Sequence, residues 1–182
     1  MAFFVDHFSS RDMHKLYSHF KDETIFLDIE VEHVTKDITV IGLYDGVDTK
    51  IMIKGKNLDI SYLSKFLSHY KLIVTYNGSV FDIPFLKKRY PDLIPKVPVI
   101  DLRHMCSRAG YSGGLKQIEK ELGICRTNPL VENLVGGDPY KLYRMWKGSG
   151  DEHYLRLLVE YNEEDLINLR PILHHLLKSV SR

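Results

Sequence analysis

Three short stretches carry acidic side chains at spacings that could do chemistry. In Ile25-Phe26-Leu27-Asp28-Ile29-Glu30 the apolar run reads as a buried-type strand. Residues two apart on a strand share a face, so Asp28 and Glu30 project together while Ile25, Leu27 and Ile29 point the other way. Adjacent like charges raise each other's proton affinity, and burying a carboxylate unpaired is costly. Such a pair therefore ends at a solvated surface or holds a cation. Taken alone, the stretch is better read as a strand with a solvated Glu30 at its end.

The second stretch is Asn77-Gly78-Ser79-Val80-Phe81-Asp82, where a buried-type strand ends in a turn and the next helix brings Asp82 over its C-terminal edge. Open α/β sheets place their sites at that edge, although an aspartate in a first helical turn also serves simply to complement the helix dipole. In the third, Tyr161-Asn162-Glu163-Glu164-Asp165, a spacing of four stacks Tyr161 and Asp165 on one helix face. Leu158 and Leu169 belong to the same inward stripe, so Asp165 points into the protein and needs a partner, whereas Glu163 and Glu164 read as a solvated face.

The elements that must position these groups follow from periodicity and turn residues. A short helix with Met13, Leu16 and Tyr17 on one face runs from Ser9 and Ser10 to about Phe20, and residues 1–23 read as an N-terminal extension. From residue 24 the pattern predicts a strand, then strands over 38–44 and 49–53 joined at Asp45-Gly46 into a hairpin. A helix capped by Asn57 or Asp59 leads to a strand over 72–76, which implies a crossover to a parallel neighbour. A helix to about Tyr90, a strand over 97–101 and then only helices complete the order, with a loop over 127–138 and a helix over 140–146. The last helix starts after Gly150 and is expected to kink or restart at Pro171. The fold class is α/β, a mixed five-stranded sheet of three antiparallel and then parallel strands flanked by helices, with 24–182 as one domain.

Bulk properties narrow the setting. The chain has 182 residues, 44% of them apolar, enough for one substantial core. Its 25 Lys and Arg nearly cancel 24 Asp and Glu, so contact with a polyanion has to be concentrated in a local groove. Cys106 and Cys125 lack metal or redox spacing and read as reduced, core-packing thiols of a cytoplasmic protein. Phe3-Phe4-Val5 is broken at once by Asp6 and His7, and no apolar stretch is long enough to span a bilayer, so a soluble protein is expected.

Together the stretches F-L-D-I-E, Y-N-G-S-V-F-D and Y-N-E-E-D resemble the motifs of the DEDD exonucleases of the ribonuclease-H-like superfamily, in the subclass ending in Tyr-x-x-x-Asp. The chain looks closest to YprB-type exonucleases and to the proofreading domains of family B DNA polymerases. V-I-D-L-R-H-M and G-G-L-K-Q-I-E-K-E-L-G-I extend the similarity over roughly 24–177. One departure follows Glu30: Val31-Glu32-His33 stand where many relatives carry Thr or Ser and a small apolar wedge against the terminal base.

The resemblance implies a 3′–5′ exonuclease that hydrolyses phosphodiesters with two divalent cations, about 4 Å apart in such chemistry. Mg²⁺ or Mn²⁺ suits an all-oxygen ligand set, and no His pair has zinc spacing. It further implies that Asp28 bridges the ions and that Glu30 and Asp165 complete the one carrying the attacking water. Asp82 would act through the second ion or its waters, and Tyr161 would orient the attacking water. The implied partner is nucleic acid, a single-stranded 3′ end, with DNA or RNA left open, as is a place in a repair or replication assembly. Lys116 at a helix start and Asn77 in its turn are candidate substrate contacts, each with a plainer role as a solvated lysine or a turn cap. A structure-directed endonuclease and a catalytically silent binding module are the alternative functions.

Overall fold

The computed structural model describes residues 10–32, 35–132 and 138–180; Ser9, His33, Gly136, Gly137 and the residues 3–7 singled out above lie outside them. Helix α1 (Ser10–Phe20) and a single 3-10 turn, Lys21–Glu23, lead into strand β1 (Thr24–Val31). Strands β2 (Ile38–Tyr44) and β3 (Thr49–Ile53) form the expected hairpin. Its turn is fixed by Asp45 Oδ1, which accepts from the backbone N–H groups of Val47 and Asp48, each at 2.8 Å, while Gly46 takes a φ of 99°. Helix α2 (Ile60–Leu67), strand β4 (Leu72–Thr75), helix α3 (Asp82–Arg89) and strand β5 (Val99–Asp101) complete the sheet. Five helices follow: α4 (Leu102–Arg108), α5 (Leu115–Glu121), α6 (Pro129–Glu132), α7 (Asp138–Ser149) and α8 (Glu152–Val180).

The strand order is β3-β2-β1-β4-β5, with β1–β2 and β2–β3 antiparallel and β1–β4 and β4–β5 parallel. This is the mixed five-stranded sheet flanked by helices that the sequence predicts. Alternation along β1 decides which layer each side chain enters. Ile25, Leu27 and Ile29 pack with Leu63 and Leu67 of α2 and Ile83 and Leu86 of α3. Phe26 faces the opposite layer with Val74 and Ile100, against Met13 and Tyr17 of α1, Ile118 of α5, and Leu166, Leu169 and Ile172 of α8. Asp28 and Glu30 continue the Phe26 face and so meet the last helix. The predicted N-terminal helix thus contributes buried side chains to the main core.

Several boundaries differ from expectation for identifiable reasons. Asp59 caps α2 by accepting from the Tyr62 backbone N–H at 3.0 Å, and Asn57 instead stitches the end of β3, bonding Ile53 N–H and the Ile51 carbonyl. Strand β5 is shorter than 97–101; the Pro98 carbonyl still accepts from Ile73. The 127–138 loop contains the short helix α6, and α7 begins before residue 140 because Pro139 sits in its first turn, where its missing N–H costs nothing. Helix α8 runs through Pro171 as one element: Pro171 is exposed, on the water-facing side where a displaced backbone carbonyl can be solvated. Cys106 is buried as expected, but Cys125 is exposed and packs no core. Among the described residues no helix is long and apolar enough to cross a membrane.

Candidate metal centre

The parallel pairing of β1 with β4 puts the C-terminal ends of both strands on one edge of the sheet, and α8 packs against β1, β2 and β3. Asp28, Glu30 and Asp165 converge there, each offering a carboxylate oxygen within 4.8 Å of the others. Tyr161, one turn before Asp165, is buried on the same face of α8. Asp82 lies outside this triple, although its charge is felt at both Asp28 and Glu30.

Asp82 is delivered by the turn after β4, and Asp101 at the end of β5 shapes that turn. The Asp101 carboxylate accepts from the backbone N–H groups of Asn77 at 2.7 Å and Ser79 at 3.0 Å, from the Ser79 hydroxyl, and from the Arg103 N–H that begins α4. Asn77 takes the left-handed φ of 63° that this requires, and its side-chain carbonyl accepts from Arg103 at 2.7 Å. At Gly78 a Cβ would fall 2.1 Å from Thr75 Oγ1 and 2.8 Å from Asp82 Oδ2, so the turn closes over Asp82 only without a side chain there.

Asp28 has one fixed partner. Asn162 Nδ2, on α8, donates to Asp28 Oδ2 at 2.7 Å across the sheet–helix interface. The approach depends on Gly42, the β2 residue paired with Asp28, because a Cβ there would lie 1.8 Å from Asn162 Oδ1. Asp165 is held from the other side. Arg126, buried just after α5, pairs with Asp165 Oδ1 and clasps Glu119 of α5 with two bonds of 2.9 Å. Asn168 of α8 donates to the same Glu119 at 3.0 Å.

These surroundings raise the carboxyl pKa values. Burial, then Asp82, Glu30 and Asp165, push Asp28 well above the ordinary carboxylate range. Burial and then Asp165 and Asp82 take Glu30 to about 8, and burial above all takes Asp82 to about 7. Burial raises Asp165 to about 6 while Arg126 opposes the rise. Burial first, then Asp165, Glu30 and Asp28, drive the Tyr161 phenol upward, so it keeps its proton at neutral pH. A cluster of oxygen ligands that resists ionisation for want of positive charge fits a hard divalent cation of the Mg²⁺ or Mn²⁺ kind.

The other residues singled out in the sequence fall into place around this centre. Lys116 is half-buried rather than solvated; its ammonium donates to the Val131 carbonyl at 3.0 Å and sits 5.1 Å from the Tyr161 ring centroid. Glu163 and Glu164 are not a solvated face. Glu163 accepts from the Thr49 hydroxyl at 2.7 Å, and Glu164 Oε1 accepts from the backbone N–H groups of Thr127 at 2.7 Å and Asn128 at 3.1 Å. Sequence reasoning missed Asn162, Glu119, Arg126 and Asp101. Asn162 carried a signal, since it falls on the stripe of Leu158, Tyr161, Asp165 and Leu169. So did Glu119, because 115, 118, 119 and 122 form an apolar face in which only 119 is charged. Arg126 lies outside any periodic element and carried none.

A family model described as the RNase H superfamily matches residues 25–177. The chain belongs to the RNase H superfamily. No curated protein matches it. Among solved structures, this RNase H superfamily chain is similar to a family B DNA polymerase from the hyperthermophilic archaeon Pyrobaculum calidifontis, with a TM-score of 0.63, 17% identity, and coverage of 85% of this chain and 24% of the polymerase. It is similar to Escherichia coli RNase D, an exoribonuclease involved in structured RNA processing, with a TM-score of 0.60, 17% identity, and coverage of 100% of this chain and 46% of RNase D. The apo form of a nuclease matches with a TM-score of 0.57 and 16% identity over 91% of this chain and 75% of the other. Identities this low show a common fold, and the chain spans about a quarter of the polymerase and just under half of RNase D.

The raised carboxyl values set a pH dependence for the metal-free RNase H superfamily domain. A carboxyl whose folded pKa exceeds its unfolded value favours folding below that unfolded value, about 4, and the contribution is lost as pH rises through the folded value. Asp165 at about 6, Asp82 at about 7 and Glu30 at about 8 therefore make the protein in EDTA melt lower at pH 8 than at pH 5. A cation binds the ionised groups, so Mn²⁺ should raise the melting temperature more at pH 8 than at pH 6. At a hundred times its Kd, ligand adds about 2.7 kcal/mol, or about 5–10 °C for a chain of this size. Calorimetry in EDTA and in Mn²⁺ checks both slopes; a Tm in EDTA that climbs from pH 5 to 8 contradicts the account.

Proposed function

We propose that this chain is a metal-dependent nuclease that hydrolyses nucleic-acid phosphodiesters from a single-stranded 3′ end, in the manner of the Tyr-x-x-x-Asp (DEDDy) subclass of DEDD exonucleases. The observation that carries this reading is the convergence of Asp28, Glu30 and Asp165 from β1 and α8 within 4.8 Å, with Tyr161 one helical turn away. The likeness of this chain to part of RNase D, an exoribonuclease, supports it at the level of fold. Residues 24–182 form the catalytic domain in this reading, and α1 braces its core.

Asp28, Glu30 and Asp165 would hold one divalent cation, and Asp82 with Asp28 would serve a second. Bound there, Mg²⁺ or Mn²⁺ supplies a nucleophilic water at neutral pH and positive charge for the departing 3′ oxygen. Asn162 fixes the Asp28 carboxylate so that its other oxygen faces the centre. Tyr161 Oη keeps its proton and donates to the attacking water, holding it in line with the scissile bond; a phenol this reluctant to ionise orients water and does not deprotonate it. Lys116, beside Tyr161, offers its ammonium to a substrate phosphate, and Asn77 its side-chain amide to a sugar or base.

The test is digestion of 5′-labelled single-stranded and duplex DNA and RNA, with a circular single strand alongside, in Mg²⁺, Mn²⁺ or EDTA. The expected result is a ladder shortening from the 3′ end, an intact circle and no cleavage in EDTA. Tyr161→Phe should lower kcat about 10- to 100-fold, the scale of a misplaced nucleophile, and leave Mn²⁺ affinity unchanged. A cut circle assigns endonucleolytic action, and no cleavage of any strand in either metal removes the nuclease reading.

A further inference from the structure

Within the carboxylate centre, the side chain of Arg126 has no place in the roles assigned so far. Its side chain is almost completely buried, and so is that of Glu119, which it clasps through Nε and Nη2. Nη2 also donates to Asp165 Oδ1, and the guanidinium lies 5.5 Å from the Tyr161 ring centroid. Arg126 thus touches both residues of the Tyr161–Asp165 pair. The other guanidinium nitrogen, Nη1, is buried and has no hydrogen-bond partner among the described residues, an expensive state for a charged group and a sign that the side chain is held where it is by its other contacts.

Two anchors fix that position. Asn168 donates to Glu119 Oε1, so Glu119 is tied to α8 as well as to Arg126. The segment following Arg126 is fastened to the same helix, because Glu164 accepts from the backbone of Thr127 and Asn128. Asp165 and Asn168 lie three residues apart on α8, and Glu119 with Arg126 closes a bridge between them. A bidentate Arg–carboxylate pair has one favourable geometry, which lysine cannot reproduce.

We propose that Arg126, clamped by Glu119 and Asn168, is a positioning residue for Asp165: it occupies Oδ1, presents Oδ2 toward Asp28 and Glu30 in the orientation a cation needs, and seats the Tyr161 ring beside it. This rests on the nuclease reading given above. Groups that orient a metal ligand from behind have effects of about 10- to 100-fold on metal affinity or activity.

The test compares the wild type with Arg126→Met, Arg126→Lys and the double variant Glu119→Gln/Arg126→Met, which removes the Glu119 charge together with that of Arg126 and so leaves no unpaired charge at Glu119. Mn²⁺ affinity is measured without nucleic acid by electron paramagnetic resonance, and kcat and KM on a labelled strand. Arg126→Met and the double variant should each lose about 10- to 100-fold in Mn²⁺ affinity and in kcat, while KM for the strand moves by about twofold at most. Arg126→Lys, which can reach Asp165 but cannot clasp Glu119, should recover part of both losses. A folded double variant with wild-type Mn²⁺ affinity and kcat overturns the proposal, as does a loss confined to KM. A wild type that neither binds Mn²⁺ nor cleaves any strand overturns the nuclease reading instead.

Discussion

Asp28→Asn should abolish hydrolysis and at the same time raise the melting temperature of the metal-free protein. Asp28 is buried among Asp82, Glu30 and Asp165, and its burial first and then their negative charges act against its ionised form. Asparagine removes that charge while its side-chain carbonyl still accepts the hydrogen bond from Asn162, so packing is kept. At pH 8 in EDTA the gain should be on the order of 1 kcal/mol, or about 2–4 °C for a chain of this length. Below about pH 4, where Asp28 is protonated in the folded and the unfolded chain alike, the gain should vanish. The activity goes the opposite way: a bound metal provides several kcal/mol of transition-state stabilisation, so losing a ligand proposed for it should cost about a thousandfold or more in rate. Calorimetry at the two pH values and digestion of labelled strands read the two halves separately. A variant that cleaves within tenfold of wild type would remove Asp28 from the centre.

The second large effect is expected at a residue with no side chain, the β2 partner of Asp28. Gly42→Ala places a methyl group 1.8 Å from Asn162 Oδ1 and 2.6 Å from a Leu166 methyl, and both neighbours are completely buried on α8. Overpacking of this kind costs about 1–3 kcal/mol or more, and loss of the hydrogen bond to Asp28 about 1.5–3 kcal/mol further. The melting temperature should fall by about 10 °C. Helix α8 cannot keep its seat, and a shift of about 1 Å in Tyr161 and Asp165 should lower kcat about a hundredfold. Adding Asn162→Ala to Gly42→Ala opens the space again. The double variant should recover most of the stability and little of the activity, a coupling that a thermodynamic cycle measures directly. If Gly42→Ala melts with the wild type, Asn162 has somewhere else to go and the close approach is not obligatory.

The sheet was legible because its information is local. The apolar runs of β1, β2 and β4 and the Asp45-Gly46 turn announce themselves within a few residues, and the order of strand and helix then leaves few topologies. Helix ends were harder. Pro171 reads as a break in any one-dimensional pattern, yet it falls on the outer side of α8, where the helix tolerates it, and only the fold decides which side that is. Of the centre, the motif residues could be listed from spacing and resemblance, but what holds them could not. Asn162 meets Asp28 across 134 positions, and Arg126 meets Asp165 across 39. A surface glutamate and a clamped one look alike in a sequence, which is why Glu163 and Glu164 were read as solvated, although one bonds Thr49 and the other the 127–128 backbone.

Helix α8 follows every other described element in the chain and carries Tyr161, Asn162 and Asp165. During vectorial synthesis, with the N-terminal part emerging first, β1 can pair with β2 and β4 long before α8 exists. Through that interval Asp28 and Glu30 sit on a nearly finished sheet with the covering face open and Asp165 missing. The cluster of Asp28, Glu30 and Asp165 is therefore absent from the earlier nascent polypeptide and assembles in one step when α8 docks.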